Sequence, residues 1–317
     1  MKKEMIHLHT EVQFDGQVQI YEREKPPAFS YYHVLLFICH SIFLFSFTSY
    51  SQNDTSNYFK PVSDSILKEG IEIYECNRAS KNSAEFLIEK LSMEEIFGLI
   101  TYKKNKAIHT IFLKGNSKDP EARYTFSYPA PFNAENVNFD GESRPLSEFE
   151  ISLNKMRNKI LKLARKRKSF FTNYAEIVLN PVFIQKEDIT HVFLISSSHD
   201  NSFIPLGNDY LLVFDEKSKL LSKTKIHQNL IEVPVSGRDT LQSGQGLASF
   251  HIHSELSSPF ISSTDISTLL MQKETMNWES HVVVSSEYVS FFFPEQQILE
   301  IITREEYEKM SGAKEKE

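Results

Sequence analysis

The stretch "SFHIHSELSSPFISSTDIS", Ser249 to Ser267, sets two histidines one residue apart and follows them with a Ser-x-x-Asp, Ser262 to Asp265. Its first part alternates, so in a strand Ala248, Phe250 and Ile252 point to one face, predicted to pack on the core. Ser249, His251 and His253 point to the other. Histidines two apart in a strand have Cα atoms about 7 Å from each other. Two imidazoles can converge from that separation on one ion at about 2.0–2.1 Å. The second part, "SSTDISTLLMQKETMNW", reads as a helix whose first turn holds Asp265. A catalytic zinc takes three protein ligands and leaves its fourth position to water, and Asp265 would be the third. The same residues have a plainer reading, a capping box with Ser262 as N-cap and Asp265 at N3, which needs no metal.

The whole chain must accommodate either reading. It has 317 residues, enough for one large domain or two modest ones, with 40% hydrophobic and 24% charged residues. Phe is abundant at 25 and Gly scarce at 10, which suits a strand-rich α+β core better than a coiled coil, and no repeat of solenoid period is present. A net charge of −7 argues against a nucleic-acid partner, since phosphate binding needs a concentrated basic face. A peptide-like or envelope substrate fits better.

Near the N-terminus, "VLLFICHSIFLFSFT", Val34 to Thr48, is apolar and is followed by Ser49 and Ser51 in a small-x-small pattern. It reads as a secretory signal with cleavage after Ser51, directing the chain to the periplasm or cell envelope. An uncleaved anchor, the one membrane contact expected, and a buried helix remain alternatives. The preceding acidic extension suggests a start codon placed too far upstream, so residues 1–51 stand apart from the mature chain. Signals ending in a small residue before Gln resemble those of exported proteins from Bacteroidetes-type bacteria. Cleavage would leave Cys76 as the sole thiol, with no intramolecular disulfide possible, and a lone Cys is usually a packing residue.

Residues 52–145 are expected to form a small α+β unit and linker. Within it "GIEIYEC" reads as a strand, "NSAEFLIEKLSMEEIFGLITYKK" as a helix, and "AIHTIFLKG" and "ARYTFSY" as strands. Pro129 to Pro145 is the linker. Residues 146–310 form the second part, with 311–317 as a tail. It opens on an amphipathic helix, "LSEFEISLNKMRNKILKLARKRK", with Ser147 and Glu150 as a capping box and Phe149, Leu153, Met156, Ile160, Leu163 and Ala164 on one face. The basic end, Arg165 to Lys168, opposes the helix dipole or meets an anionic surface. Beyond Asp188 the chain is strand-rich: "ITHVFLISS", a hairpin "DYLLVFDEKSKLLSKTKIH" turning near Lys217 to Lys219, "NLIEVPVSG", then the histidine strand.

His251-x-His253 followed by Ser262-x-x-Asp265 resembles the signature of the JAMM (MPN+) metalloproteases, over roughly Leu146 to Tyr307. The resemblance implies a mixed sheet flanked by helices, zinc held by His251, His253 and Asp265, and Ser262 stabilising an oxyanion. It also implies a Glu from an earlier strand as general base on the zinc-bound water. By chain order that base would be Glu187, with Glu232 and Glu255 as other candidates. The chain departs from the family's pattern at Ser254, where Pro is usual, and in a His-to-Ser spacing one residue longer. The resemblance implies a zinc-dependent hydrolase acting on an amide or isopeptide bond, which the N-terminal signal would export. The alternative is a non-catalytic envelope binding or scaffold module on the same fold.

Three other clusters carry less. His199-Asp200 and His227 could face a substrate or support the ligands, or be ordinary loop and strand-edge residues; "GNDYLLVFD" lacks the oxygen count of a calcium site. The two readings of the opening stretch separate at Asp265. A metal site predicts that Asp265→Asn strips the metal, whereas a helix cap alone predicts about 1 kcal/mol of lost stability with no metal to lose; metal content and urea unfolding of that variant decide between them.

Overall fold

The computed structural model describes residues 58–91, 95–116, 119–166, 170–198, 202–235, 247–276 and 278–311. All belong to one compact unit. The apolar run at Val34–Thr48, the cleavage after Ser51, His199-Asp200 and the last basic residues Arg167 and Lys168 lie outside them.

The first described helix, α1 (Lys60–Lys90), buries Ser63, Gly70, Ile73, Cys76, Ala79, Ser83 and Leu87. Those residues recur mostly three or four apart, so they share one face of a helix. "GIEIYEC" is therefore mid-helix and not the expected strand; its local alternation is overruled by the longer helical period on both sides. "FGLITYKK" in turn is not helical. It forms β1 (Ile96–Lys104), antiparallel to β2 (Ala107–Asn116). Asn105 and Lys106 join the two, both in the left-handed region at φ 52° and 66°, as a type I′ hairpin turn requires.

The chain continues through β3 (Asp119–Tyr128), two short strands β4 (Asn138–Asp140) and β5 (Arg144–Pro145), and the helix α2 (Glu148–Ala164). Next come β6 (Ile177–Lys186), β7 (Ile189–Ser198), β8 (Phe203–Gly207), β9 (Tyr210–Asp215), β10 (Leu220–Lys225) and β11 (Leu230–Pro234). The C-terminal part is β12 (Leu247–Ile252), α3 (Ser263–Met276), β13 (Trp278–Val284), β14 (Tyr288–Phe293), β15 (Ile298–Thr303) and α4 (Arg304–Met310). The fold is α+β, and the main sheet runs β10-β9-β7-β6-β1-β2-β3-β4, with β5 on β3. β1 and β6 meet in parallel at Tyr102 and Phe183, so residues on both sides of position 146 share one sheet. β8 and β11 pair separately, and β12-β13-β14-β15 form a third sheet. In that sheet β12 and β13 are parallel, joined by α3 as the crossover that parallel strands need.

Each face of the main sheet is covered by a helix. α2 packs Leu153, Met156 and Ile160 against Ile100, Ile111, Phe183 and Leu212. α1 packs Ile73, Cys76 and Leu87 against Phe112, Phe126 and Phe193 on the other face. Burial pushes the Cys76 thiol pKa well up, as suits a packing residue. A third core joins α3 to the C-terminal sheet through Ile266, Leu269, Val283 and Phe292. α1 reaches that core too. A Cβ built on Gly70 would sit 2.5 Å from the Ile266 Cβ, so the two helices cross at backbone contact. Beside the crossing, Ser263 Oγ donates to Glu69 Oε2 at 2.7 Å, and Lys186 pairs with the same carboxylate. This double contact fixes the start of α3.

The capping box on α2 is present in full. Glu150 accepts from the Ser147 amide at 2.8 Å, from Tyr102 Oη at 2.8 Å and from both terminal nitrogens of Arg144 at 2.8 and 2.7 Å. Burial alone would raise its pKa, but Arg144, the Ser147 amide and Tyr102 outweigh that and hold it at about 2. Glu150→Ala should cost about 2 to 3 kcal/mol in urea unfolding, at the low end for breaking a buried pair because Arg144 keeps contact with water. A loss of only about 1 kcal/mol would mean that the cap alone matters.

Candidate metal centre

β12 carries its histidines inward. His251 and His253 are buried while Ile252 is 55% exposed, so the face predicted to be polar points into the protein and the apolar face does not cover the core. The reason is the partner across the gap: α3 begins there with Asp265, which is 1% exposed. Four side chains meet, His227, His251, His253 and Asp265, and one donor atom from each lies within 4.8 Å of the others. His251 Nε2 is 2.9 Å from His253 Nε2 and 3.8 Å from Asp265 Oδ1. Asp265 Oδ2 is 3.2 Å from His227 Nε2 and 3.5 Å from His253 Nε2. Ligands at about 2.0–2.1 Å around a tetrahedral ion are about 3.4 Å from one another. The described distances bracket that value, and the group could hold a metal ion.

The capping reading of Ser262-x-x-Asp265 is realised, and it leaves part of the carboxylate unused. Asp265 N donates to Ser262 Oγ at 3.0 Å and Ser262 N donates to Asp265 Oδ2 at 2.9 Å, which is a capping box with Asp at N3. Ser262 Oγ also donates to Oδ2, at 2.7 Å. The cap therefore occupies one carboxylate oxygen. The other, Oδ1, is buried without a hydrogen-bond partner, and a buried carboxylate oxygen left in that state is costly unless a cation meets it.

The surroundings orient the imidazoles. His253 Nδ1 lies 2.8 Å from the Ser258 carbonyl, which only accepts, so Nδ1 carries the proton and a neutral ring presents a bare Nε2. His251 Nδ1 bonds His281 Nε2 at 2.8 Å, and His281 Nδ1 bonds Ser249 Oγ at 2.6 Å. This relay can be ordered two ways. With His251 Nε2 protonated, His251 donates to His253; with the proton on His251 Nδ1, the relay runs toward Ser249 and both Nε2 atoms are bare. Two bare nitrogens at 2.9 Å repel, and a cation between them removes the repulsion. His227 Nδ1 faces Asp209 Oδ2 at 3.2 Å, so a carboxylate backs that ring as well.

Charge favours a cation too. Asp265 is buried, and burial opposes its ionisation; even so, the His227 and His251 imidazoles hold its pKa well below the ordinary value. Burial would discharge His227, but Asp265 and Asp209 outweigh it and push its pKa up to about 10. Burial lowers the pKa of His251 well below the ordinary value and that of His281 to about 4. Without metal, one proton on His227 thus faces two carboxylates. A divalent ion displacing that proton would balance both.

The sequence-predicted residues divide cleanly. His251, His253, Asp265 and Ser262 come together. Glu187 does not: it sits in the β6–β7 hairpin turn at φ 50°, exposed, with its carbonyl accepting from Gln185. It lies outside the four-residue group, because the strand it precedes runs through the main sheet and its turn faces solvent. Glu232 and Glu255 are also exposed. Asp209 and His281 were not read as contributors from the sequence, and His227 only as a residue that could face a substrate or support the ligands. His227 and Asp209 had no spacing relation to the His-x-His pair, and His281 sat within an apolar strand; strand pairing in the fold, not sequence proximity, delivers them. No protein-family model matches the chain, and no curated protein matches it.

Because the raised His227 pKa keeps a proton on a ring that must present a bare nitrogen to a metal, uptake should release that proton near neutral pH. Affinity should then rise roughly tenfold per pH unit from about pH 7 to 9, below the His227 pKa. Calorimetry in two buffers of different ionisation enthalpy measures the released proton; none released would remove His227 from the ligand set.

Proposed function

We propose that the chain is a metal-holding module in which His227, His251, His253 and Asp265 bind one divalent ion, zinc by donor type, in a closed centre. The observation that carries this reading is the buried, unpartnered Asp265 Oδ1 facing a histidine nitrogen within a group of four converging donors. Imidazole and carboxylate donors suit zinc, and four protein donors are the mark of a structural centre. A zinc ion bound there would supply a strong tie between its donors and Lewis acidity toward any further ligand.

The residues around it do the rest. His227 follows β10 of the main sheet, while β12 and α3 belong to the C-terminal sheet, so the four donors bridge two sheets that otherwise meet through α1 and side-chain packing. Ser249 and His281 fix His251, and the Ser258 carbonyl fixes His253. The hydrolase reading asks for an open coordination position and a carboxylate base; here His227 stands at the fourth position and Glu187 lies in a solvent-facing turn. The geometry therefore favours the binding or scaffold module on a JAMM-like fold. Export to the cell envelope belongs to the same proposal and is supported by the apolar run Val34–Thr48 alone.

Plasma mass spectrometry on the purified chain should find about one zinc per molecule, lost in His251→Ala and Asp265→Asn. Stripping the metal with a chelator should lower Tm by at least about 5 °C, because the ion binds only the folded state. A wild-type chain that takes up no metal after incubation with excess zinc refutes the proposal.

A further inference from the structure

Resting on the metal reading above, we infer that His227 is a removable donor. It closes the coordination shell in this conformation, and its withdrawal opens one position to a small nitrogen or oxygen ligand, between the Asp209 carboxylate and the Ser262 hydroxyl. The four donors are not held alike. His251 sits in a strand paired with β13 and bonds His281 at 2.8 Å. His253 is fixed by its amide on the Val284 carbonyl at 2.9 Å and by its ring on the Ser258 carbonyl at 2.8 Å. Asp265 is fixed by the first turn of α3 and the Ser262 cap.

His227 belongs to neither element. It lies in the irregular crossing between β10 and β11, and its buried Nδ1 approaches Asp209 Oδ2 to 3.2 Å without an aligned hydrogen bond. Of the three rings, it is the one whose outer nitrogen has no aligned hydrogen bond.

What stands behind His227 stays when it leaves. Asp209 is 2% exposed, and its Oδ1 accepts from the Ser196 amide of β7 at 2.9 Å, so the carboxylate is anchored in the main sheet independently of His227. Ser262 Oγ is 3.3 Å from His227 Nε2, at the edge of the place the ring would vacate. Withdrawal thus leaves three donors, an open place, an anchored carboxylate and the oxygen of a hydroxyl whose proton is committed to Asp265 Oδ2. Three protein donors with an open place are the arrangement that distinguishes catalytic zinc sites from structural ones.

The backbone also supplies a way to move the ring. Gly207 ends β8 at φ +85°, and a Cβ there would lie 2.4 Å from the Asn229 carbonyl oxygen and 3.3 Å from the His227 Cβ. The crossing that bears His227 is therefore seated directly on the β8–β11 pair. That pair is a separate two-stranded sheet, and Ile204 of β8 packs in the same core as Ile266 and Leu269 of α3.

Cobalt(II) in place of zinc reports coordination through its visible spectrum, with azide and imidazole as probes. In the full-length wild-type chain the cobalt spectrum should not respond to millimolar azide. His227→Ala should hold cobalt about 10- to 100-fold more weakly, respond to azide, and recover the wild-type spectrum with added imidazole. The inference is overturned if wild type takes azide as readily as the variant, if the variant keeps wild-type affinity, or if it accepts neither probe. Should His227→Ala lose its circular dichroism, His227→Asn is read by the same criteria. A wild-type chain that binds neither zinc nor cobalt overturns the metal reading itself, and is thereby distinguished from a chain that binds metal but fails the probe tests.

Discussion

A carboxylate at the first turn of a helix usually spends itself on the helix. Asp265 spends only half: Oδ2 closes the cap with Ser262, and Oδ1 is left in a dry space among imidazoles. That division ties the local structure of α3 to the chemistry of the cluster. If the helix began one residue earlier or later, Asp265 would rotate by about 100° and face the helix's other neighbours. The start of α3 is consequently the constraint on which the site depends, and the remainder of the fold can be read as what holds it there.

α1 is the main device. It is the one described helix packed against both the main sheet and the C-terminal core, and Gly70 lets it cross α3 at backbone distance, beside the contact of Glu69 with Ser263. A larger residue at Gly70 would push directly on Ile266, the neighbour of Asp265. The other side of the cluster depends on β13, which pairs with β12 and presents His281 to His251. The third wall comes from the main sheet through Asp209 and His227. Three separate parts of the molecule thus contribute to a site whose recognisable motif spans only one of them.

That distribution explains how much the sequence disclosed. The α+β class followed from alternating runs with capped helices between them, and α2 was readable in detail because Ser147, Glu150 and a regular apolar face act locally. His251, His253, Ser262 and Asp265 were legible because a strand and the helix after it keep them in fixed relation. His227, Asp209 and His281 have no such relation, since hydrogen-bonded ladders between distant segments bring them in. The misreading of "GIEIYEC" had a different origin: a short alternation of Ile71 and Ile73 beside Gly70 mimics a strand, while Gly70 is in fact retained for a helix crossing. Likewise the buried face of β12 carries imidazoles, so hydrophobicity pointed the wrong way.

The crossover β12–α3–β13 bears on how the chain assembles. Three of the four converging side chains, and the Ser262 cap, lie within one strand and the helix that follows it, so the loop that must close to bring them together is short and its entropic cost small. The main sheet, by contrast, closes only when β1 finds β6 across β2 to β5 and all of α2. Contacts between distant segments form slowly. The C-terminal trio is therefore the part of the cluster that costs least to close, and His227 and Asp209 join it only when the long-range ladders are complete.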